Sequence, residues 1–272
     1  ACAIQNGGIG NGIDELSETK LKIVAAEKVE LYHGWSEMGQ GIDTVARQVL
    51  AEVCGLDDSI AIEVKSSTGG GAVGGATTAS RGTALLGNST ILVAEKLKID
   101  LAAKTLADLV GKEYFAQHLV DWTTSHDSDG EIISHFSYGY AVHLAILDEN
   151  GKLQSIHAAH DGGRIINPVL FEGQVEGGVV MGMGYALTEN YPIKDGRLTS
   201  DRMSKLGLPK AKDVPDIKVI GVECPDNSGP FGAKGVGEIS SIPTAAAIAN
   251  SYYKFDGVRR YLLPLSAIQK GE

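Results

Sequence analysis

The chain has 272 residues, 43% of them hydrophobic, and a formal net charge of −10. So acidic a protein gains nothing from pairing with nucleic acid or an anionic membrane, and neither is expected as a partner. No apolar stretch reaches spanning length, and three scattered cysteines (Cys2, Cys54 and Cys224) exclude a self-contained Cys-x-x-Cys metal site. Such thiols suit a reducing compartment, and the cytoplasm is the expected location.

The chain opens Ala1-Cys2-Ala3-Ile4, already inside an apolar run and without an initiator Met. It reads as a fragment or processed subunit that begins mid-strand. Strand patterns follow at 22–26 and 29–33. A helix starts near 38–42 and runs to Cys54, with Ile42, Val45, Ala46, Val49 and Val53 on one face and Gly55 as its cap. Residues 60–64 alternate like a half-buried strand, 69–75 form a glycine loop, and 79–110 read as one long or broken helix. The polar segment 121–130 is the best internal boundary, dividing the chain into lobes 1–120 and 131–272.

Beyond it, 136–147 and 153–159 pair through a turn at 148–151. Residues 169–187 are helical in pattern despite five glycines, with Asn167 before Pro168 as the cap. Residues 196–212 are irregular, 217–222 form a strand and 244–255 a helix. Strands and helices mix without βαβ regularity, which predicts an α+β fold of mixed or antiparallel sheets packed with helices.

Glycine is in excess, with 35 residues gathered in clusters. The most informative is 232–238, where Gly232, Gly235 and Gly237 surround Lys234 and lead to Glu238. The following 239–247 reads as a helix start, with serines able to cap and Pro243 in the first turn. Glu238 thus stands at a helix mouth on backbone that can approach a ligand closely, a candidate general base.

The turn 34–44 joins strand to helix, where backbone N–H groups point outward and can hold an anion; Gln40, between Gly39 and Gly41, offers a free amide. An ordinary strand-to-helix turn is the alternative. The loop 68–81 is rich in hydroxyls and enters a helix, which suits phosphate or pyrophosphate, although it lacks the Gly-Lys-Ser/Thr ending of a P-loop. Arg81 either adds a fixed positive charge there or covers exposed surface. Each glycine inside the 169–187 helix costs about 1 kcal/mol relative to alanine. Several together imply a bulky group against the helix, contacted by Gln174, or tight helix–helix packing. His157 and His160 lie three apart on a strand and so face opposite sides; no metal site is expected there.

Four segments, taken in order, resemble the molybdenum hydroxylase family of xanthine dehydrogenases, aldehyde oxidoreductases and nicotinate dehydrogenases. They are Glu37-Met38-Gly39-Gln40-Gly41, Thr77-Thr78-Ala79-Ser80-Arg81 with Gly87-Asn88 beyond, Gly173-Gln174-Val175-Glu176-Gly177-Gly178, and Gly232 to Glu238. The likeness runs from Ala1 to Leu263, and the lead 1–12 leans toward the bacterial branch that includes selenium-dependent xanthine dehydrogenases.

The resemblance implies the second half of a molybdopterin-binding domain. Met38, Gly39, Gln40 and Gly41, with Thr77, Thr78, Ala79, Ser80 and Arg81, would then hold molybdopterin in its cytosine dinucleotide form. Gln174 would approach molybdenum, Glu238 would be the base, and no side chain would ligate the metal. The implied reaction hydroxylates an electron-poor carbon of a purine, another N-heterocycle or an aldehyde with oxygen from water, xanthine dehydrogenase being the first choice. The implied partners are the preceding molybdenum half-domain, whose Phe-Gly-Gly-Lys motif this chain lacks, and segments or subunits carrying iron–sulfur clusters and FAD. An oligomer, and little activity from this chain alone, are expected. The competing readings are a non-catalytic nucleotide- or phosphate-binding accessory module and a structural subunit.

Overall fold

The computed structural model describes residues 1–200 and 202–265. Two four-stranded sheets, each covered on one face by two helices, make an α+β architecture. The first sheet, ordered β4-β3-β2-β5, comprises β2 (Glu15–Ala25), β3 (Lys28–His33), β4 (Ala61–Ser66) and β5 (Glu113–Val120). Alternation along β2 and β3 turns Leu21, Ile23, Val29 and Leu31 inward, onto α1 (Ile42–Cys54) and α2 (Gly82–Leu101). Gly55 ends α1 in the left-handed conformation, as its position after Cys54 predicts.

The second sheet, ordered β1-β6-β7-β10, comprises β1 (Cys2–Gly7), β6 (Ser137–Leu147), β7 (Leu153–Asp161) and β10 (Asp216–Val222). Its inner face packs Ala145, Ile156 and Ala158 on α3 (Pro168–Leu187) and α4 (Ile242–Asp256). A two-stranded ribbon, β8 (Ile193–Lys194) with β9 (Arg197–Leu198), lies between α3 and β10. The outer face of the second sheet is apolar: Ile4, Tyr140, Val142 and Leu144 are each more than half exposed.

Two expectations change, and one open alternative is decided. The strand Cys2–Gly7, grouped by position with the first lobe, pairs antiparallel with β6 and belongs to the second sheet. The helical region 79–110 is broken: α2 stops at Leu101, and a single 3₁₀ turn at 107–109 lets Leu106 and Leu109 enter the first core. Ser240 and Ser241 do not cap α4; their hydroxyls donate to the Gly237 and Glu238 carbonyls instead. Asn167, by contrast, caps α3 as expected, its Oδ1 accepting from Leu170 N at 3.0 Å.

The glycines of α3 serve two different surroundings. A Cβ on Gly178 would stand 2.0 Å from Ser240 Oγ, and one on Gly182 would stand 2.5 Å from Thr244 Cβ. These two let the start of α4 close onto α3. Gly173 and Gly177 face open space beside Gln174. Gly177→Ala should therefore stabilise the chain by up to about 1 kcal/mol through helix propensity. Gly178→Ala should destabilise it by about 1–3 kcal/mol through overpacking, and urea denaturation of the pair reads the difference in sign.

Beneath α4 lies a buried imidazole pair. His143 Nε2 and His160 Nε2 are 2.7 Å apart, and His143 Nδ1 reaches Thr244 Oγ1 at 3.0 Å. His160 Nδ1 is buried without a partner, so the least costly arrangement leaves it a bare acceptor while His160 donates from Nε2. Burial, then the neighbouring His160 and the chain's amino terminus, pushes His143 down to about 3; burial alone lowers His160 to about 4. Both are neutral when folded but take up protons when unfolded below their ordinary value of 6.5. Stability should then fall as pH drops from about 6.5 toward 4, by up to about 1.4 kcal/mol per pH unit for each histidine. Denaturation midpoints across that window test it, with His143→Phe flattening the dependence.

Candidate active site

The turn 232–238 is stapled to the end of β7 before it reaches Glu238. Gly163 and Ala233 form an isolated antiparallel bridge, Lys234 N donates to Gly162 O at 2.9 Å, and Arg164 N to Gly232 O at 3.1 Å. Lys234 Nζ meets Asp161 Oδ2 at 2.7 Å, both side chains more than nine-tenths buried. Breaking such a pair strands a buried charge at about 3–5 kcal/mol, so this lysine fixes the turn.

Past Lys234 the turn lies against the loop before α2. A Cβ on Gly235 would sit 1.8 Å from the Ser80 carbonyl oxygen, so only glycine allows the approach. Ala79 and Ser80 adopt φ of +56° and +46°, a strained conformation for residues with side chains. Held this way, Ser80 Oγ donates to Glu238 Oε2 at 3.0 Å and accepts from Glu238 N at 3.1 Å. Ala79 N donates to Oε1 at 3.3 Å, and Gln5 Nε2 to Oε2 at 2.5 Å. Gln174 Nε2 reaches the Gly237 carbonyl at 3.4 Å.

These segments enclose a cleft of about 300 Å³. Of the residues singled out in the sequence, Met38, Gln40, Thr77, Thr78, Ser80, Arg81, Gln174 and Glu238 line it. Gly39, Gly41 and Ala79 shape the backbone behind them, the two glycines with φ of +100° and +83°.

Three groups expected to be free are engaged. Gln40 turns its amide onto its own turn, accepting from Met38 N at 2.6 Å and donating to Ser36 O at 2.8 Å. The N–H groups of that turn are likewise taken: Glu37 accepts from Gly39, Gly41 and Asp43 at 2.8, 2.9 and 3.1 Å. Burial raises the Glu37 pKa, but the N–H groups of Gly41, Asp43, Gly39 and Ile42 outweigh it and hold the carboxyl below its usual range. Arg81 borders the cleft, yet its guanidinium is buried, paired with Glu15 at 2.6 Å and donating to Ala76 O. It anchors the loop instead of offering a free charge.

Sequence reasoning missed several of the residues around Glu238. Arg164, Ile165, Leu170 and Phe171 line the cleft, although 161–168 reads only as a turn into a helix. Gln5 gave no local signal, because its partner is chosen by tertiary pairing.

The lining suits a group held by hydroxyls and backbone. Thr77 Oγ1 is buried without a partner at the cleft wall, an orphaned polar atom awaiting one. Among the described residues, no three His, Cys, Asp or Glu side chains gather as a metal site. A ligand fitting this set presents oxygens to hydroxyl donors such as Thr77.

Comparison with known proteins accords with this chemistry. The family model described as molybdopterin cofactor-binding domain matches residues 1–215. A probable xanthine dehydrogenase subunit of Bacillus subtilis (strain 168) is 26% identical over 98% of this chain and 40% of its own length. The nicotine 6-hydroxylase large subunit of Paenarthrobacter nicotinovorans is 26% identical over 85% of this chain and 33% of its own. Among solved structures, the aldehyde oxidoreductase from Desulfovibrio desulfuricans superposes with a TM-score of 0.81 at 25% identity, over 99% of this chain and 31% of that one. The chain thus spans two fifths or less of the length of these relatives. With its two-sheet fold, its cleft and its ordered motifs, it belongs to the molybdopterin cofactor-binding domain family of the molybdenum hydroxylases.

Proposed function

We propose that this chain forms one wall of a molybdenum hydroxylase active site in which Glu238 is the general base. The observation that carries the reading is the placement of Glu238 at the edge of the cleft that the Gln40 and Gln174 segments also line. Met38–Gly41 and Thr77–Ser80 would hold molybdopterin in its cytosine dinucleotide form, with the unpartnered Thr77 hydroxyl and that of Thr78 available to its oxygens. When bound, that cofactor supplies its own metal ligands and a two-electron acceptor.

The chain's residues supply the rest. Glu238 takes a proton on its carboxylate as oxygen from water is delivered to an electron-poor carbon of a purine, another N-heterocycle or an aldehyde. Xanthine is the first substrate to try. Gln174, tied to the Gly237 carbonyl, keeps α3 registered against the base-bearing turn. Leu170 and Phe171 give the cleft an apolar side that excludes water.

The remaining cofactor surface comes from the further length that the relatives possess. The exposed apolar outer face of the second sheet, with Ile4, Tyr140, Val142 and Leu144 side by side, is a natural seat for it. Iron–sulfur clusters and FAD belong to other segments or subunits of an oligomer. Three unpaired thiols support a cytoplasmic setting.

The test uses the full, cofactor-loaded enzyme. Glu238→Gln should lower kcat by ~10²–10⁴-fold while molybdenum and pterin content stay unchanged. Undiminished turnover rules out the base assignment. Bound nucleotide without molybdenum in the purified complex points instead to an accessory phosphate-binding role.

A further inference from the structure

Strand β1 reaches the candidate base directly. Gln5 Nε2 donates to Glu238 Oε2 across 2.5 Å, although the two are 233 positions apart. Register explains the aim. Gln5 lies opposite Gly139 of β6. A Cβ on Gly139 would be 3.5 Å from Ile239 Cδ1, so Ile239 packs over the spot that Gly139 leaves low. Its neighbour Glu238 is thereby brought down over the side chain of Gln5.

The two carboxylate oxygens carry different loads. Oε2 takes both the Gln5 amide at 2.5 Å and the Ser80 hydroxyl at 3.0 Å. Oε1 has one longer contact, the Ala79 N–H at 3.3 Å. Each carboxylate oxygen has about two lone pairs to offer. Oε2 is filled by its two donors, and Oε1 keeps one lone pair open.

We infer that Gln5 is a positioning residue for the reaction proposed above: with Ser80 it pins Oε2 and leaves Oε1 as the oxygen that accepts the proton. The inference rests on Glu238 being the base. Gln5 itself touches neither substrate nor cofactor. It acts by holding one edge of the carboxylate so that the other points constantly to the cleft. Without Gln5 the carboxylate keeps only the Ser80 hydroxyl on Oε2 and the longer Ala79 N–H contact on Oε1, a looser hold.

The experiment compares Gln5→Met, which keeps length but loses the donor, with the parent and with Glu238→Gln in the full cofactor-loaded enzyme. Misplacement of a reacting group by about 1 Å costs up to ~10²-fold, so Gln5→Met should lower kcat by about 10- to 100-fold with little change in KM. A second readout needs no turnover. Carbodiimide-driven coupling of glycine ethyl ester to Glu238, followed by peptide mass spectrometry, should quicken in Gln5→Met because Oε2 is no longer covered. Unchanged kcat or unchanged labelling, with Glu238→Gln inactive, overturns the role of Gln5 and leaves the base assignment standing. Full activity in Glu238→Gln overturns both. Gln5→Thr, a good strand former too short to reach the carboxylate, repeats the comparison if Gln5→Met does not fold.

Discussion

Ser80 and Glu238 are 158 positions apart in sequence, yet they exchange two hydrogen bonds. That exchange depends on a close approach of backbone to backbone, where Gly235 runs under the Ser80 carbonyl. With any side chain at Gly235 the two loops would separate, and Glu238 would lose Ser80 and Ala79 together. Neither loop is secured by this contact alone. The loop before α2 is anchored from below by the buried pair of Arg81 and Glu15, and the turn 232–238 by the pair of Lys234 and Asp161. Two buried ion pairs on separate sheets therefore set the position of one carboxylate.

Strand β1 completes the arrangement. It leads directly toward β2 of the first sheet but hydrogen-bonds along β6 of the second. At its end Gly8 N donates to Ala79 O at 2.9 Å, while Gln5 donates to Glu238. One strand thus contacts both loops at the place where they meet. The site lies at a junction of two packed units, where clefts between otherwise convex layers form most readily. The strain at Ala79 and Ser80 is sustained because both flanking segments are fixed.

Much of the fold was legible because it is written locally. Helix α1 announces itself by the spacing of Ile42, Ala46 and Val49 and by Gly55. The β6–β7 hairpin is marked by its alternation and by the turn at 148–151, and α3 by Asn167 and Pro168. The site was legible in part for a related reason: close backbone approach demands glycine, so the glycine clusters mark where segments converge. What stayed hidden was the choice of partner. Periodicity says which face of β1 is apolar but not which sheet it joins. The same limit concealed the burial of Arg81 against Glu15, the seating of Glu37 in its own turn, and the reach of Gln5 to Glu238. Each is a polar pairing that only the folded chain decides.

Those pairings have an electrostatic consequence for any anionic cofactor. Among the described residues, the cations lining the cleft are Arg81, Arg164 and Lys234. Each already has a carboxylate: Glu15 at 2.6 Å, Glu52 at 2.8 Å and Asp161 at 2.7 Å. Even in the 36–41 turn, the N–H groups of Gly39 and Gly41 are met by Glu37 and that of Met38 by Gln40. What remains for a phosphate or a pterin oxygen is a set of neutral donors, the hydroxyls of Thr77 and Thr78 and the exposed backbone. Such donors act at contact distance and give no long-range attraction, while a net charge of −10 repels an approaching anion. Capture from solution gains nothing from long-range steering by this charge distribution. The same logic explains why the cleft wall can be built from uncharged backbone. A group sealed in by packing needs donors that fit it in place, and those fixed donors keep their strength once water is excluded.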